Sequence, residues 1–260
     1  MTLAQITGQL LKDLEPLRFG PPVTHVYNPL TYAGKAYARY LALYGQAPKE
    51  VLLLGMNPGP WGMAQTGVPF GEVRLVRDWL GIEVPIGAPA QMHPKRPVTG
   101  FACTRSEVSG ARLWGWVRET FQTPERFFAR FFVANYCPLI FIEAGGRNRT
   151  PDRLPLAEQG PLLAACDRAL RRSVELLAPH HVVGVGKFAE TRARQALAGL
   201  PVAIGRLTHP SPANPVANRG WGALVARELA ELGICLETPR DPLQGSAAAR
   251  LGLGGGFEQV

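Results

Sequence analysis

The sequence predicts an α/β fold, a three-layer α/β/α sandwich with a central four-stranded parallel sheet. Short apolar runs typical of buried strands alternate along the chain with segments whose apolar residues recur at helical spacing. This alternation is typical of parallel strands whose connecting helices cover both faces of one sheet. The strands are predicted at residues 51–54, 131–134, 181–185 and 202–207.

Helical spacing accounts for much of the remaining chain. Thr2 and Gln5 have the spacing of a capping box, for a helix expected to extend to about Leu17. Further helices are predicted over residues 32–44, 72–80, 111–121, 124–130, 162–177, 187–200 and 221–232. Residues 82–107 and 137–160 have no clear period and are predicted to be long loops, which in compact domains are usually functional or disordered.

Length and composition bound the organisation of the chain. Its 260 residues allow one large or two small domains, and we predict a single domain over residues 1–238. Residues 239–260 are rich in glycine and alanine and are predicted to form a flexible tail. No run approaches about 18 apolar residues, and the start of the chain lacks a signal-peptide pattern. We therefore expect a cytoplasmic protein that acts inside the cell, without a membrane span.

Charge and cysteine content narrow the class of partner and cofactor. A net charge of +8 favours binding to polyanions such as DNA, although the same charge could serve solubility alone. The cysteines have no Cys-x-x-Cys spacing, which argues against a zinc ribbon or an iron–sulfur cluster. We expect no metal and no cofactor, and Cys137 and Cys166, in apolar surroundings, to be reduced core residues.

Two segments rich in proline and glycine, residues 55–62 and 209–221, each follow a predicted strand. Rigid loops with polar tips at the carboxyl ends of parallel strands are typical of a binding site. Six further segments occur between residues 20 and 190 in a characteristic order and spacing. They are residues 22–29, 63–73, 76–81, 93–97, 106–112 and 182–186.

Together these segments resemble the single-strand-selective monofunctional uracil-DNA glycosylases, a branch of the uracil-DNA glycosylase superfamily. The resemblance extends from about residue 20 to about residue 236. It implies the superfamily's α/β/α sandwich and a metal-independent enzyme without a cofactor. Such an enzyme flips uracil out of single- or double-stranded chromosomal DNA and hydrolyses the N-glycosidic bond, leaving an abasic site for base excision repair. The expected partner is DNA, bound by a monomer.

The resemblance assigns catalytic roles to Asn57 and His209. Asn57 would position the hydrolytic water, because a neutral amide can orient water but cannot act as a general base. His209 would donate a hydrogen bond to uracil O2 as negative charge develops on the leaving base. The alternatives are that Asn57 is a turn residue before Pro58 and that His209 is structural.

Four residues are assigned to the base pocket. Phe70 would stack on the extruded base, and Asn135 would read its Watson–Crick edge, accepting from N3–H and donating to O4. We expect a further hydrogen bond to hold the Asn135 amide in one orientation, since a flipped amide would also fit cytosine. Met56 and Gly59 line the same loop, and in the family a glycine at this point leaves room for 5-hydroxymethyluracil.

The segment after His209 is predicted to contact DNA. Asn214 and Pro215 favour the start of a short helix that could wedge into the strand. The contacts predicted for this segment involve Pro210, Ser211, Pro212, Ala213, Asn214 and Arg219, and the arginines at 96, 147 and 149 are assigned to the phosphate backbone. Ala213 departs from the family pattern, in which an arginine often follows Pro-Ser-Pro, and this puts the grip on duplex DNA in doubt. Tyr136 also departs from it, where an aliphatic residue is expected.

Two further observations concern rival functions. No lysine lies in either proline-rich segment, so the Schiff-base chemistry of a bifunctional glycosylase is not expected. Gly184 and Gly186 resemble part of a dinucleotide-binding fingerprint, which we interpret as a structural turn. The alternatives left open are a sister-branch glycosylase specific for mismatched uracil or for xanthine and hypoxanthine, a lesion-binding protein without catalysis, and a nucleotide-dependent enzyme.

Overall fold

A computed structural model describes residues 1–236 of the chain. The predicted flexible tail at residues 239–260 lies outside the described residues. No helix within residues 1–236 is both long and apolar enough to cross a membrane. The strands are β1 Val23–Tyr27, β2 Val51–Gly55, β3 Phe131–Asn135, β4 Ile140–Glu143, β5 Asn148–Arg149, β6 His181–Val185 and β7 Ala203–Leu207.

The predicted central sheet is confirmed. Its four strands are β2, β3, β6 and β7, and all neighbouring pairs are parallel, in the order β3-β2-β6-β7. β2 is buried at all five positions, which explains why it lacks the alternation of a half-exposed strand. The strand boundaries differ from the predicted ones by no more than one residue.

Helices surround this sheet. They are α1 Leu3–Leu14, α2 Pro29–Tyr32, α3 Gly34–Tyr44, α4 Met63–Thr66, α5 Val108–Phe121, α6 Pro124–Phe128, α7 Leu156–Leu177, α8 Lys187–Ala196 and α9 Trp221–Glu231. The capping box at Thr2 and Gln5 is confirmed, with hydrogen bonds of 2.8 and 3.2 Å. The segment predicted as a helix over residues 72–80 forms one π-helical turn, Leu75–Trp79.

The sheet is covered on both faces. A Cβ atom at Gly184 would lie 2.2 Å from the backbone nitrogen of Glu190 in α8, so α8 packs directly on that face. A Cβ atom at Gly205 would lie 2.5 Å from Leu232, at the end of α9. Val183 is the register partner of Gly205 in the neighbouring strand, and it points away from the face of Gly184. The helices α8 and α9 therefore lie on opposite faces, as the three-layer prediction requires.

The prediction of a loop over residues 137–160 is wrong. This region contains β4, β5, a 3-10 turn at Pro151–Arg153 and the first turns of α7. β4 pairs antiparallel with β1, and the strands β1, β4 and β5 form a second sheet. Pro161 lies inside α7, which begins five residues before it, and this explains why the predicted helix started too late.

The loop over residues 82–107 is confirmed in outline, with a single 3-10 turn at Gly100–Ala102. Buried side chains hold it in place. Tyr27, 1% exposed, donates from its hydroxyl to the carbonyl of Arg96 and accepts from the backbone nitrogen of His93. The long loop is therefore attached to the second sheet at its middle.

Candidate active site

The predicted site residues meet at one edge of the parallel sheet. Asn57 follows β2 by two residues, Asn135 ends β3, and His209 follows β7 by two residues. Because the carboxyl ends of parallel strands share an edge, the fold places these three side chains on the same side of the molecule. Gly186, which follows β6, lies beside His209, and a Cβ atom there would lie 3.4 Å from the imidazole.

Phe70 and Asn135 both pack against the end of β2. A Cβ atom at Gly55 would lie 2.3 Å from Oδ1 of Asn135 and 2.6 Å from the ring of Phe70. Only glycine fits here, because real Cβ contacts are essentially never under 3.0 Å. The residue predicted to stack on a base and the residue predicted to read it are thus neighbours in one pocket wall.

Phe70 has an unusual backbone conformation, with φ at +53°. A left-handed backbone conformation at an aromatic residue costs about 1–3 kcal/mol, so contacts with the surrounding residues must stabilise this conformation. The indole of Trp114 donates to the carbonyl of Pro69 at 3.2 Å, and the backbone nitrogen of Glu72 donates to the carbonyl of Phe70 at 2.8 Å. A Cβ atom at Gly110 would lie 1.9 Å from that same carbonyl oxygen, so α5 packs tightly against the Phe70 backbone.

The side chain of Asn135 has a partner for its amino group. Nδ2 donates to Sδ of Met63 at 3.3 Å, and Oδ1 faces the end of β2. A thioether sulfur is a weak acceptor, so this contact favours one amide orientation with little energy. The single amide orientation expected from the sequence stays a prediction.

The Asn57 amide is oriented by the chain that follows β3. Its Nδ2 donates to the carbonyl of Leu139 at 3.1 Å. Its Oδ1 receives no hydrogen bond from residues 1–236 and is available to accept one from water. Nδ2 of Asn148 donates to the carbonyl of Pro58 at 3.3 Å, which supports the same loop from β5.

Met56 and Gly59 lie in this loop. The carbonyl of Met56 accepts from the backbone nitrogen of Cys137 at 2.9 Å, so the pairing of β2 and β3 continues into the loop. A Cβ atom at Gly59 would lie 3.6 Å from the carboxyl group of Glu107, which is an ordinary contact distance. In contrast to Gly55, position 59 has room for a methyl group.

His209 is held as a neutral imidazole in a defined tautomer. Its Nδ1 accepts from the backbone nitrogen of Ser211 at 3.1 Å, which places the ring proton on Nε2. Burial lowers the pKa of His209 from its usual 6.5, because desolvation disfavours the charged form. The side chain therefore presents one N–H donor, and its ring lies 6.5 Å from that of Phe70.

The segment after His209 turns back on itself. Nδ2 of Asn214 donates to the carbonyl of His209 at 3.4 Å, and Oδ1 accepts from the backbone nitrogen of Val216 at 3.2 Å. The short helix predicted to start at Asn214 is confirmed in part, because the segment forms a 3-10 turn, Ala217–Arg219, that begins three residues after Asn214. This turn ends at Gly220, which adopts a left-handed conformation with φ at +114°.

The exposed tip of this segment carries the predicted DNA contacts. Ala213 and Arg219 are exposed, and within residues 1–236 the guanidinium of Arg219 makes no hydrogen bond or ion pair. The hydroxyl of Ser211 accepts from the backbone nitrogen of Ala213 at 3.2 Å. The carbonyls of Pro210 and Pro212 both accept from side chains, those of Arg112 and Asn218.

Comparison with known proteins identifies the family. A family model described as the uracil DNA glycosylase superfamily matches residues 43–227. The chain is 54% identical over 228 residues to the single-strand selective monofunctional uracil DNA glycosylase of Mus musculus, covering 87% of this chain and 82% of the mouse protein. This chain belongs to the single-strand selective monofunctional uracil-DNA glycosylases.

Further relatives agree with this membership. The corresponding protein of Bos taurus is 53% identical over 87% of this chain and 84% of its own. A solved structure described as wild-type SMUG2 of Pedobacter heparinus matches with a TM-score of 0.64 and 20% identity. It covers 90% of this chain and 97% of the Pedobacter chain, and at this identity the match supports the fold alone.

Sequence reasoning missed two residues that support the site of this glycosylase. Arg112 in α5 donates to the carbonyl of Pro210 at 2.9 Å and to Oδ1 of Asn218 at 2.8 Å, which fixes the segment after His209. Its position in the 106–112 motif was the available signal, but the sequence does not show that its partner lies 98 residues away.

Glu107 is the second such residue. Its carboxylate caps α5, accepting from the backbone nitrogens of Ser109 at 3.2 Å and Gly110 at 2.8 Å. The same side chain lies against Gly59 and Gly62 of the Asn57 loop. Burial raises the pKa of Glu107, although the two backbone donors act in the opposite direction. Glu107 therefore joins the catalytic loop to α5.

Tyr136 acquires a structural explanation. Its buried hydroxyl donates to Asp167 at 2.6 Å and accepts from Nε of Arg192 at 3.1 Å. Asp167 and Arg192 form an ion pair between α7 and α8. The side chain thus points away from Asn135, and the departure from an aliphatic residue serves packing of the helices on the sheet.

Two lysines bear on the chemistry of the glycosylase. Lys49 precedes β2 and donates from Nζ to the carbonyl of Phe128, so about 17 Å of strand separates it from the Asn57 edge. Lys187 begins α8 directly after Gly186 and is exposed at the same edge as His209. The fold therefore brings one lysine to the edge of the site that the motifs alone did not indicate.

Proposed function

We propose that this glycosylase excises uracil from single-stranded DNA by base flipping and hydrolysis, and leaves an unbroken abasic strand. The observation that carries this proposal is the convergence of Phe70, Asn135, Asn57 and neutral His209 at one edge of the sheet. Each supplies a different requirement of the reaction: stacking, base recognition, water orientation and stabilisation of the leaving base.

His209 would act on the developing charge. As the N-glycosidic bond breaks, negative charge accumulates on the base and is shared by O2. The Nε2–H of His209 is pre-oriented by the bond from Ser211 to Nδ1, so no reorganisation is needed when the charge appears. A neutral donor stabilises this anion without having to transfer its own proton to the base.

Asn57 would hold the water that attacks C1′ of the sugar. With Nδ2 bound to Leu139, Oδ1 is the group left to accept a hydrogen bond from that water. An amide cannot remove a proton at neutral pH, so its contribution is orientation. The attack then takes place on a sugar that already has oxocarbenium character.

Asn135 would distinguish uracil from cytosine. The amide can accept from uracil N3–H and donate to O4, and cytosine presents the opposite polarity at both positions. A mismatched buried pair costs about 1–3 kcal/mol. Excision of cytosine at the same rate as uracil from matched single strands would contradict this role.

We propose further that 5-hydroxymethyluracil is a substrate. Gly59 has no side chain and lies beside the partly buried Glu107, which leaves open space at the loop that contains Asn57. The resemblance to the family places this loop near C5 of the base. A substituent on C5 would then meet Gly59 where a larger residue would exclude it.

The first experiment tests the reaction itself. We would incubate the protein in EDTA with an end-labelled single strand that carries one uracil, and then reveal abasic sites with alkali. The expected result is cleavage that depends on alkali and is absent for an Asn57→Ala/His209→Ala double variant. Tight binding without any abasic sites would refute uracil excision.

A borohydride control separates monofunctional from bifunctional chemistry. Because Lys187 lies at the same edge as His209, wild type and Lys187→Arg would be compared for covalent trapping on the abasic product. We expect no trapped adduct with either protein. An adduct formed by wild type and lost in Lys187→Arg would show a Schiff base at this lysine.

We expect the activity on duplex DNA to be limited by Ala213. An alanine at the exposed tip of the segment after His209 cannot fill the space of an extruded base, so Ala213→Arg should raise the rate on duplex uracil by about tenfold. The rate on a single strand should stay nearly unchanged. The measurement is single-turnover release from matched single- and double-stranded substrates.

The control for added charge is Ala42→Arg, at an exposed position of α3. It should leave the ratio of single- to double-strand rates unchanged. Equal rates of the unaltered protein on both substrates would refute the preference for single strands. An equal gain from both arginine variants would refute the specific role of position 213.

A further inference from the structure

A basic cleft lies next to the Asn57 loop, on the side formed by the long 82–107 loop. We name it the Trp61 cleft; its polar and aromatic lining is Trp61, Lys95, Arg96, Thr99, Cys103, Thr104 and Arg105. No acidic side chain lines it. Trp61 follows Asn57 by four residues, so at most about 14 Å of extended chain separates the cleft from the proposed reaction site.

The indole of Trp61 contacts both arginines. The guanidinium carbon of Arg105 lies 4.4 Å from the ring centroid, and that of Arg96 lies 5.4 Å from it. A guanidinium over an aromatic face keeps its in-plane N–H groups available, and this fork fits the oxygens of a phosphate. One aromatic ring therefore contacts two phosphate-binding groups.

Neither arginine is neutralised within the described part of the chain. The guanidinium of Arg105 makes no hydrogen bond or ion pair there, and that of Arg96 donates only to the carbonyl of Lys95 at 3.0 Å. Nε of Arg96 is buried and has no hydrogen-bond partner. The two guanidinium groups lie close to one ring and repel each other, and an anion in the cleft would reduce this repulsion.

Two partly buried arginines elsewhere in the protein, Arg149 and Arg192, are paired with carboxylates. Arg149 binds Glu143 at 2.8 Å, and Arg192 forms an ion pair with Asp167. The two arginines at Trp61 therefore differ from these structural ion pairs in having no carboxylate. Their arrangement is suited to an anion that comes from outside the chain.

The walls of the cleft are fixed. Gln65 is fully buried, and its Nε2 donates to the carbonyls of Pro60 and Pro97, both at 2.9 Å. Its Oε1 accepts from the backbone nitrogens of Thr99 and Gly100. One buried side chain thus joins the loop that carries Trp61 to the loop that carries Arg96, and the cleft is built before any ligand arrives.

We propose that the Trp61 cleft binds one phosphate group of the DNA strand next to the flipped nucleotide, with Arg96 and Arg105 as its ligands. This proposal rests on the proposed function, because it assumes that the ligand is a DNA strand. Arg105 also lines a second cleft together with Arg74 and Glu72, in which Arg77 is paired with Asp78.

The first test is a binding measurement. The probe is a single strand containing one 2′-fluoro-2′-deoxyuridine, which resists hydrolysis, so that binding is measured whether or not the protein cleaves. The Arg96→Gln/Arg105→Gln double variant should bind about tenfold more weakly. Its plot of log K against log salt should be less steep by about 0.7, the value for one phosphate contact on a single strand.

The matched control is Arg118→Gln. Arg118 is exposed in the last turn of α5, about 16 Å along the helix from Glu107, and makes no side-chain hydrogen bond or ion pair within residues 1–236. Equal weakening by this single substitution and by the double variant, after correction for the number of charges removed, would indicate general attraction and overturn the proposal.

A second measurement locates the phosphate. Neutral methylphosphonate linkages would be placed one at a time on either side of the analogue. For wild type, one position near the flipped nucleotide should weaken binding about tenfold, and the double variant should be insensitive at that position alone. The proposal would be overturned if the double variant lost sensitivity at all positions, or if it remained sensitive at every position.

Variants of Trp61 test the role of the ring. Trp61→Phe retains an aromatic face and should bind nearly as wild type, whereas Trp61→Leu should behave like the double variant. Inorganic phosphate, compared with chloride at equal ionic strength, should compete with DNA more strongly for wild type than for the double variant. Selective phosphate competition without a sensitive position in the methylphosphonate series would identify a site for free phosphate and would overturn the assignment to DNA.

These outcomes are separable from the proposed reaction. Failure of wild type to form abasic sites, with the binding results as expected, would refute uracil excision and leave the phosphate site in place. Alkali-dependent cleavage by wild type, with no difference between the arginine variants and the control, would refute the phosphate site alone.

Discussion

Replacement of His209 by alanine is expected to lower the single-turnover rate of uracil release by about 10²–10³-fold, the usual effect of removing one preorganised donor from a developing oxyanion. The donor in question is Nε2–H, whose position is set by the bond from Ser211 to Nδ1. Affinity for a strand carrying an uncleavable uridine analogue should change little, because the donor acts mainly on the charge of the transition state.

The same residue determines an expected pH profile. Burial lowers the pKa of His209 below its usual 6.5, so the neutral form persists as the pH falls through 6.5. Protonation would add a second N–H at Nδ1, directed at the backbone N–H of Ser211, and would break that bond. The single-turnover rate of wild type should therefore decrease only below pH 6.5. In His209→Ala this decrease should be absent.

The free energy of unfolding also depends on the protonation of His209, and it decreases with falling pH as the rate does. The folded-state pKa of His209 is below the unfolded value of 6.5, so above pH 6.5 both states are neutral and the group has no effect on stability. As the pH falls below 6.5 the unfolded state takes up a proton first, and stability decreases. A rate that falls with a midpoint above 6.5 would contradict the neutral-imidazole assignment.

Replacement of Gly55 by alanine is expected to abolish measurable excision of every base. The added Cβ would lie 2.3 Å from Oδ1 of Asn135 and 2.6 Å from the ring of Phe70, so both must move. A displacement of about 1 Å at a positioned group can cost 10²-fold in rate, and here two groups are displaced together. Overpacking should also lower the free energy of unfolding by about 1–3 kcal/mol.

Gly59→Ala is the matched control in the same loop. Its Cβ would lie 3.6 Å from Glu107, an ordinary contact, so folding and uracil excision should be close to those of wild type. If Gly59 provides the space at C5, excision of 5-hydroxymethyluracil should fall by about tenfold in this variant. The measurement is single-turnover release from strands that differ only in the modified base.

Two outcomes would contradict these assignments. Thermal unfolding would first verify that Gly55→Ala is folded. Near-normal activity of this variant would then show that excision does not require the observed positions of Phe70 and Asn135. An equal loss of uracil and 5-hydroxymethyluracil excision in Gly59→Ala would show that position 59 supports the loop without selecting for substituents on C5.

The parallel sheet could be predicted because each of its strands carries its own signal. The run at residues 51–54 is apolar at every position, and such runs are buried wherever they fold. The second sheet has no comparable local signal. β1 has a mixed burial pattern, and its partner β4 is a four-residue segment more than 100 residues away, so their pairing is determined by tertiary contact alone.

In the candidate site, too, some positions could be predicted from the sequence and others could not. The position of Asn57, Asn135 and His209 at one edge could be predicted, because each residue follows a predicted strand. The carboxyl ends of parallel strands share one edge of the sheet. The supporting roles of Glu107 and Arg112 could not be predicted, because their partners lie on loops whose paths depend on the fold. The two arginines at Trp61 lie nine positions apart in a loop without periodicity, and the sequence gives no indication that they share one ring.

The first two turns of α5 have a consequence for how mutations in this protein combine. Within six residues, Glu107 contacts the Asn57 loop, Gly110 contacts the carbonyl of Phe70, and Arg112 holds the carbonyl of Pro210. Water orientation, base stacking and the histidine segment thus share one support. An insertion or deletion in residues 106–112 would alter all three at once, so defects in this short stretch should be strongly non-additive with substitutions in any of the three loops.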